Sequence, residues 1–215
     1  MLYPHSEATV AMLRRALVVP VLTVKDVEDA VCQARALIAG GLSVLEITLR
    51  TPAAMAAVAA LATTFPQAFI GAGTIVAADQ IKAAADAGAG FLVSPGMTPH
   101  LLEAAVRSPV LFLPGAATAS EALALRERGF RALKFFPAEA AGGARYLASL
   151  AGPLPDLVFC PTGGIDAQSA GNYLALPNVA CVGGSWMVAP GLLATRDFGK
   201  IEQLAREASA LGRRL

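Results

Sequence analysis

Two hydrophobic periods alternate along this chain. Short apolar runs occur at Leu17 to Leu22, Val44 to Leu49, Ala68 to Gly73, Phe91 to Ser94, Val110 to Leu113, 132 to 136, Leu157 to Pro161 and Val179 to Val182. Their length and composition predict buried strands. Behind each lies a stretch with helical spacing. From Asp26, for example, Val27, Ala30, Val31, Ala34, Leu37 and Ile38 recur at helical intervals until Gly40-Gly41 ends the pattern. Other helices are predicted at 6–16, 77–87, 144–150, 166–175 and 197–212. Thr51-Pro52 and Thr98-Pro99 each read as a threonine cap with proline in the first turn. Thr118 and Glu121 form a capping box whose helix closes at Gly129.

Regular alternation of this kind implies a parallel sheet. Eight strands in one domain-sized chain predict a single (β/α)8 TIM barrel over residues 1–215, with a short helix in front. A doubly wound open sheet is the alternative, because counting strands does not prove closure. A barrel places its chemistry at the C-terminal ends of the strands and in the loops beyond them.

The sixth strand, from Ala132 to Phe136, carries one charge, Lys134, on the same face as Ala132 and Phe136. Burying an unpaired ammonium is costly, so Lys134 requires a partner or a chemical task. One task is nucleophilic attack on a ketone to form an imine; the alternative is a structural ion pair. In the second strand the odd positions Leu45, Ile47 and Leu49 are apolar, and the even ones, Glu46, Thr48 and Arg50, are polar. Helices cover the outside of a barrel, so the polar row is expected to face the interior and stack a carboxylate near a guanidinium. Strand three ends in Gly71-Ala-Gly-Thr74, where small residues admit a ligand and the Thr74 hydroxyl offers a hydrogen bond. Strands seven and eight run into Thr162-Gly163-Gly164 and Gly183-Gly184-Ser185. Paired glycine loops at that place suit a phosphate, which exposed backbone N–H groups bind.

Composition narrows the field. Charged residues make up 15% of the chain and apolar ones 55%, so a large buried core or subunit interface is expected. A net charge of +1 without a basic cluster argues against nucleic acid as a partner. The longest fully apolar run, Ala53 to Ala62, is too short for a membrane span. Arg14-Arg15 and the apolar run after it are not expected to direct export, since Pro20 interrupts the run and Lys25 and Asp26 follow at once. Cys32, Cys160 and Cys181 lie far apart and read as reduced thiols, and neither His5 nor His100 has metal-ligand spacing around it. A cytoplasmic protein without a metal or other cofactor is expected.

These motifs resemble the 2-keto-3-deoxy-6-phosphogluconate (KDPG) and 4-hydroxy-2-oxoglutarate (KHG) aldolase family. The resemblance rests on the segments 45–51, 71–74, 94–96, 134–139, 159–165 and 183–186, in order and spread over nearly the whole chain. It implies a metal-independent class I aldolase, usually a homotrimer, acting on a small keto acid. It further implies Lys134 as the Schiff-base lysine and Glu46 as the acid/base. Arg50 and Thr74 would hold the pyruvate carboxylate, with Pro95, Phe136 and Thr162 contacting the rest of the substrate. Gly163, Gly164, Gly184 and Ser185 would receive the phosphate. Readings that remain are an aldolase for the galactonate isomer, a phosphosugar isomerase or epimerase, and a non-catalytic binder of phosphorylated metabolites.

Overall fold

A computed structural model describes residues 1–211. Its strands are β1 (Val18–Leu22), β2 (Val44–Thr48), β3 (Phe69–Gly73), β4 (Phe91–Val93), β5 (Leu111–Leu113), β6 (Gly115–Ala116), β7 (Ala132–Phe135), β8 (Val158–Pro161) and β9 (Val182–Gly184). The helices are α1 (Ser6–Ala16), α2 (Val27–Ala39), α3 (Ala54–Thr64), α4 (Ala78–Asp86), α5 (Pro99–Val106), α6 (Ala119–Glu127), α7 (Gly143–Ser149), α8 (Ala170–Leu174), α9 (Pro190–Ala194) and α10 (Phe198–Ser209).

Every strand pairing is parallel. One six-stranded sheet runs β5-β4-β3-β2-β1-β9, and a three-stranded sheet runs β6-β7-β8. Two single bridges, Phe159 to Val179 and Thr162 to Gly183, connect the β8 and β9 sides. On the other side only Pro114 separates β5 from β6. Proline has no N–H, so it interrupts the ladder there. The Gly115 N–H turns to Ser94 Oγ (3.2 Å), and the Pro114 carbonyl accepts from the Lys134 N–H (2.8 Å). The expected strand from Val110 to Leu113 corresponds to β5, and the two residues of β6 lie where no strand was expected.

The core has two parts. Leu45 and Ile47 of β2, and Leu133 and Phe135 of β7, face the helices with Leu37 and Leu61. Alternate positions face the other way: Val19, Val44, Phe91, Val93, Leu113, Ala132, Cys160 and Cys181 meet in a second buried cluster, closed at one end by Met12, Leu13 and Ala16 of α1. The expected caps at Thr98 and Thr118 each accept a backbone N–H at the start of α5 and α6, and Asp26, just ahead of the predicted helical spacing, does the same for α2.

Thr51 does not cap a helix. Its hydroxyl donates to the Val24 carbonyl (2.7 Å), tying the β2 loop to the β1 loop, and α3 begins three residues later without a side-chain cap. The last strand begins at Val182 rather than Val179, since Val179 makes only an isolated bridge before the ladder with β1 is reached. The helix expected at 166–175 shrinks to α8, and α9 lies in a segment where no helix was expected. The final helix ends at Ser209, while the expected end at 212 lies outside the described residues.

Candidate active site

The polar row of β2 begins with Glu46, which is 3% exposed. Its carboxylate lies over Gly73 of β3, where a Cβ would run into it. Lys134 of β7 is 5% exposed and comes from the opposite side of the same interior. Its Nζ donates to Glu46 Oε1 at 3.0 Å and lies 3.3 Å from Oε2. The two residues are 88 positions apart in the chain, and only tertiary folding joins them. The Phe136 ring centroid is 5.4 Å from Nζ, within range of a cation–π contact. The buried lysine thus has the partner its burial demands.

Arg50 does not complete the row. β2 ends at Thr48, and Leu49 donates to the Gly73 carbonyl while Arg50 N–H turns back to the Thr48 carbonyl (both 2.8 Å). Arg50 is exposed and makes no ion pair among the described residues. The Glu46 carboxylate is paired with Lys134 and makes no ion pair with Arg50 among the described residues. Thr48 is fully buried, but its hydroxyl is spent on the Leu22 carbonyl (2.8 Å) and lies 3.0 Å from the Thr23 hydroxyl, so it fastens β2 to β1.

Thr74, just beyond β3, is half-buried with φ 62°. A β-branched residue in the left-handed region is strained by about 1–2 kcal/mol. Its hydroxyl makes no hydrogen bond to the described residues. Pro95 is half-buried, and Gly115 runs so close to the Pro95–Gly96 backbone that a Cβ would not fit.

On the β8 side, Thr162 is 6% exposed and faces Gly183, where a Cβ would strike its hydroxyl. Gly163 and Gly164 follow at φ 105° and 79°, which glycine adopts without penalty. The N–H groups of Gly163, Gly164 and Ser185 donate to no acceptor among the described residues. Gly184 is closed in by the Trp186 ring, and Ser185 is exposed. The loop after β7 docks on this turn: Ala138 N–H donates to the Thr162 carbonyl (2.8 Å) and Glu139 N–H to that of Gly163 (3.1 Å).

The sequence reading missed the pair that fixes this docking. The buried Tyr173 hydroxyl donates to Glu139 Oε1 (2.5 Å), and a Cβ on Gly164 would sit 2.7 Å from Glu139 Cγ. Burial, with the Glu139 carboxylate beside it, pushes the Tyr173 phenol well above its usual range. Glu139 closes the recognised motif 134–139 and could have been singled out; nothing around Tyr173 in sequence marks it. The three cysteines are free thiols, and Cys160 together with burial raises the Cys181 thiol. Among the described residues no helix is long and apolar enough to cross a membrane.

Residues 9–204 match the family described as KDPG and KHG aldolase. The chain is 48% identical over 193 residues to a 2-dehydro-3-deoxy-phosphogluconate aldolase of Pseudoalteromonas atlantica, covering 90% of each chain. It is 46% identical over 198 residues to the KHG/KDPG aldolase of Escherichia coli K12, covering 92% of this chain and 93% of that one. A similar solved structure is the KDPG aldolase of Legionella pneumophila with pyruvate captured at low pH as a covalent carbinolamine intermediate. Its TM-score is 0.91 at 44% identity, over 94% of this chain and 98% of that chain.

Proposed function

Because this chain belongs to the KDPG and KHG aldolase family, we propose that it is a Schiff-base lyase that cleaves 2-keto-3-deoxy-6-phosphogluconate to pyruvate and glyceraldehyde 3-phosphate. The same chemistry applied to 4-hydroxy-2-oxoglutarate gives pyruvate and glyoxylate. The observation that carries the reading is the contact between Lys134 and Glu46, an amine and a carboxylate brought together in a buried interior.

Lys134 attacks the C2 ketone, and Glu46 accepts its proton so that the lone pair is free. Carbinolamine formation and loss of water give an iminium, which serves as an electron sink. Removal of the C4 hydroxyl proton then breaks the C3–C4 bond and releases the aldehyde. The enamine left behind is protonated at C3 and hydrolysed to pyruvate. Glu46 is the proton carrier for these steps, directly or through water. The Thr74 hydroxyl and the Arg50 guanidinium, neither of them paired among the described residues, suit the pyruvate carboxylate. Arg50 would reach it from the rim. Pro95, Phe136 and Thr162 line the path between, and Phe136 packs against the pyruvate carbons. Gly163, Gly164 and Ser185 offer the phosphate backbone donors that are free among the described residues, and Gly184 brings the chain to Ser185 without a side chain in the way.

We read the chain from 1 to 215 as one domain in which the two sheets are arcs of a closed (β/α)8 barrel. The bridges between β8 and β9, the single-residue gap at Pro114 and the inner cluster fed from both sheets support closure. A cytoplasmic homotrimer fits the low charged fraction and the exposed Val76 and Leu123.

Incubating the native protein with pyruvate and borohydride tests the mechanism. The expected result is one reduced pyruvate adduct, mapped to Lys134 by peptide mass spectrometry. A folded protein that acquires no adduct there overturns it.

A further inference from the structure

The glycine cradle offers a phosphate dianion hydrogen bonds but no countercharge. Its surroundings are negative. The Glu139 side chain packs against Gly164, and Asp166 lies two residues further on, its carboxyl held below the usual range by hydrogen bonds from Ser169. A dianion seated at Gly163 and Gly164 would lie close to the Glu139 side chain, with Asp166 two residues on, so binding it there calls for a nearby cation.

The cations at this end of the strands are mostly committed. Lys134 is bound to Glu46, and Arg196 pairs with Glu28 at 3.5 Å. Arg50, at the end of β2, is assigned above to the pyruvate carboxylate. Lys25 is different. It follows β1, the strand hydrogen-bonded to β9, and the register sets Pro20 opposite Gly184. Its side chain is exposed and makes no ion pair or side-chain hydrogen bond among the described residues. It also lines a cavity of about 310 Å³ together with Thr23 and Ser185, walled by Val188, Pro190 and Leu193. Lys25 is the one charged residue in that lining. The apolar walls lower the local dielectric and strengthen its attraction for an anion at Ser185.

We propose that Lys25 reaches across this cavity and supplies the positive charge for the substrate's phosphate, making it a residue that selects phosphorylated over phosphate-free keto acids. The inference rests on the glycine cradle being the phosphate site. A long, unpaired lysine suits this task, because it can follow the phosphate without a fixed rotamer.

The test compares kcat/KM for 2-keto-3-deoxy-6-phosphogluconate with that for phosphate-free 2-keto-3-deoxygluconate, in the wild type and in Lys25→Gln and Lys25→Glu. Inorganic phosphate serves as a competitive inhibitor in parallel. Because Lys25 is exposed, neither variant removes a packed group. The preference for the phosphorylated substrate should fall about fivefold in Lys25→Gln, as expected for one charge-assisted contact at a partly open site, and further in Lys25→Glu. The inhibition constant for phosphate should rise in the same order. A preference retained within about twofold in both variants overturns the role of Lys25 while leaving the cradle in place. A wild type with no preference and no inhibition by phosphate overturns the cradle, and Lys25 with it.

Discussion

Removing the two members of the central pair separately and then together is expected to give losses far from additive. At 3.0 Å and an effective dielectric constant of about 20, the attraction between Lys134 and Glu46 is about 5.5 kcal/mol. Desolvation of the two ions costs several kcal/mol each, and the side chains retain only 7% and 4% of their exposure, so little of that cost is avoided. The pair therefore contributes close to nothing net. Glu46→Leu alone leaves the ammonium unpartnered, and Lys134→Met alone leaves the carboxylate so. Each should destabilise the protein by about 3–5 kcal/mol. The double variant buries two apolar side chains of similar size and should lie within about 1 kcal/mol of the wild type, or above it. Urea denaturation of all four proteins, at one fixed protein concentration because subunit association adds to apparent stability, measures the cycle. The coupling should be at least about 3 kcal/mol, against about 0.5 kcal/mol for independent sites. If the two single losses simply add in the double variant, the residues do not share a buried contact in solution and the site as described is wrong.

Thr74 offers a second check. Thr74→Gly removes the left-handed strain and should be about 1 kcal/mol more stable than Thr74→Ala, while both raise KM for the keto acid by losing the hydroxyl. Equal stability of the two variants would remove strain at this residue from the account. A third concerns pH. The Tyr173 phenol is raised in the folded protein, so its contribution is complete below the unfolded tyrosine value of about 10 and is lost as pH rises toward the folded value. Urea midpoints between pH 8 and 11.5 should fall at the alkaline end, and less steeply in Tyr173→Phe. An identical slope in both proteins would exclude Tyr173 as a source, leaving Tyr3, also raised by burial, as a remaining one.

Much of the molecule is written in local pattern. Apolar runs set the strands, and caps at Asp26, Thr98 and Thr118 set where helices start, because both depend on neighbours within a few residues. The polar row in β2 and the lone charge in β7 announced a functional interior for the same reason: such groups are too costly to bury without cause. That Lys134 needed a partner or a chemical task followed from sequence alone. That Glu46 pairs with Lys134, from a strand 88 positions away, was decided by the packing of β2 against β7 across the interior. Pro114 was visible, but its effect of handing the ladder from one sheet to the next depends on Ser94 and Lys134 standing on either side. The Glu139–Tyr173 brace and the cavity that joins Lys25 to Ser185 left no local trace, because each unites residues brought close only when distant strands and helices pack. Sequence supplied the chemistry and the elements that carry it; tertiary structure alone selected which of those groups meet.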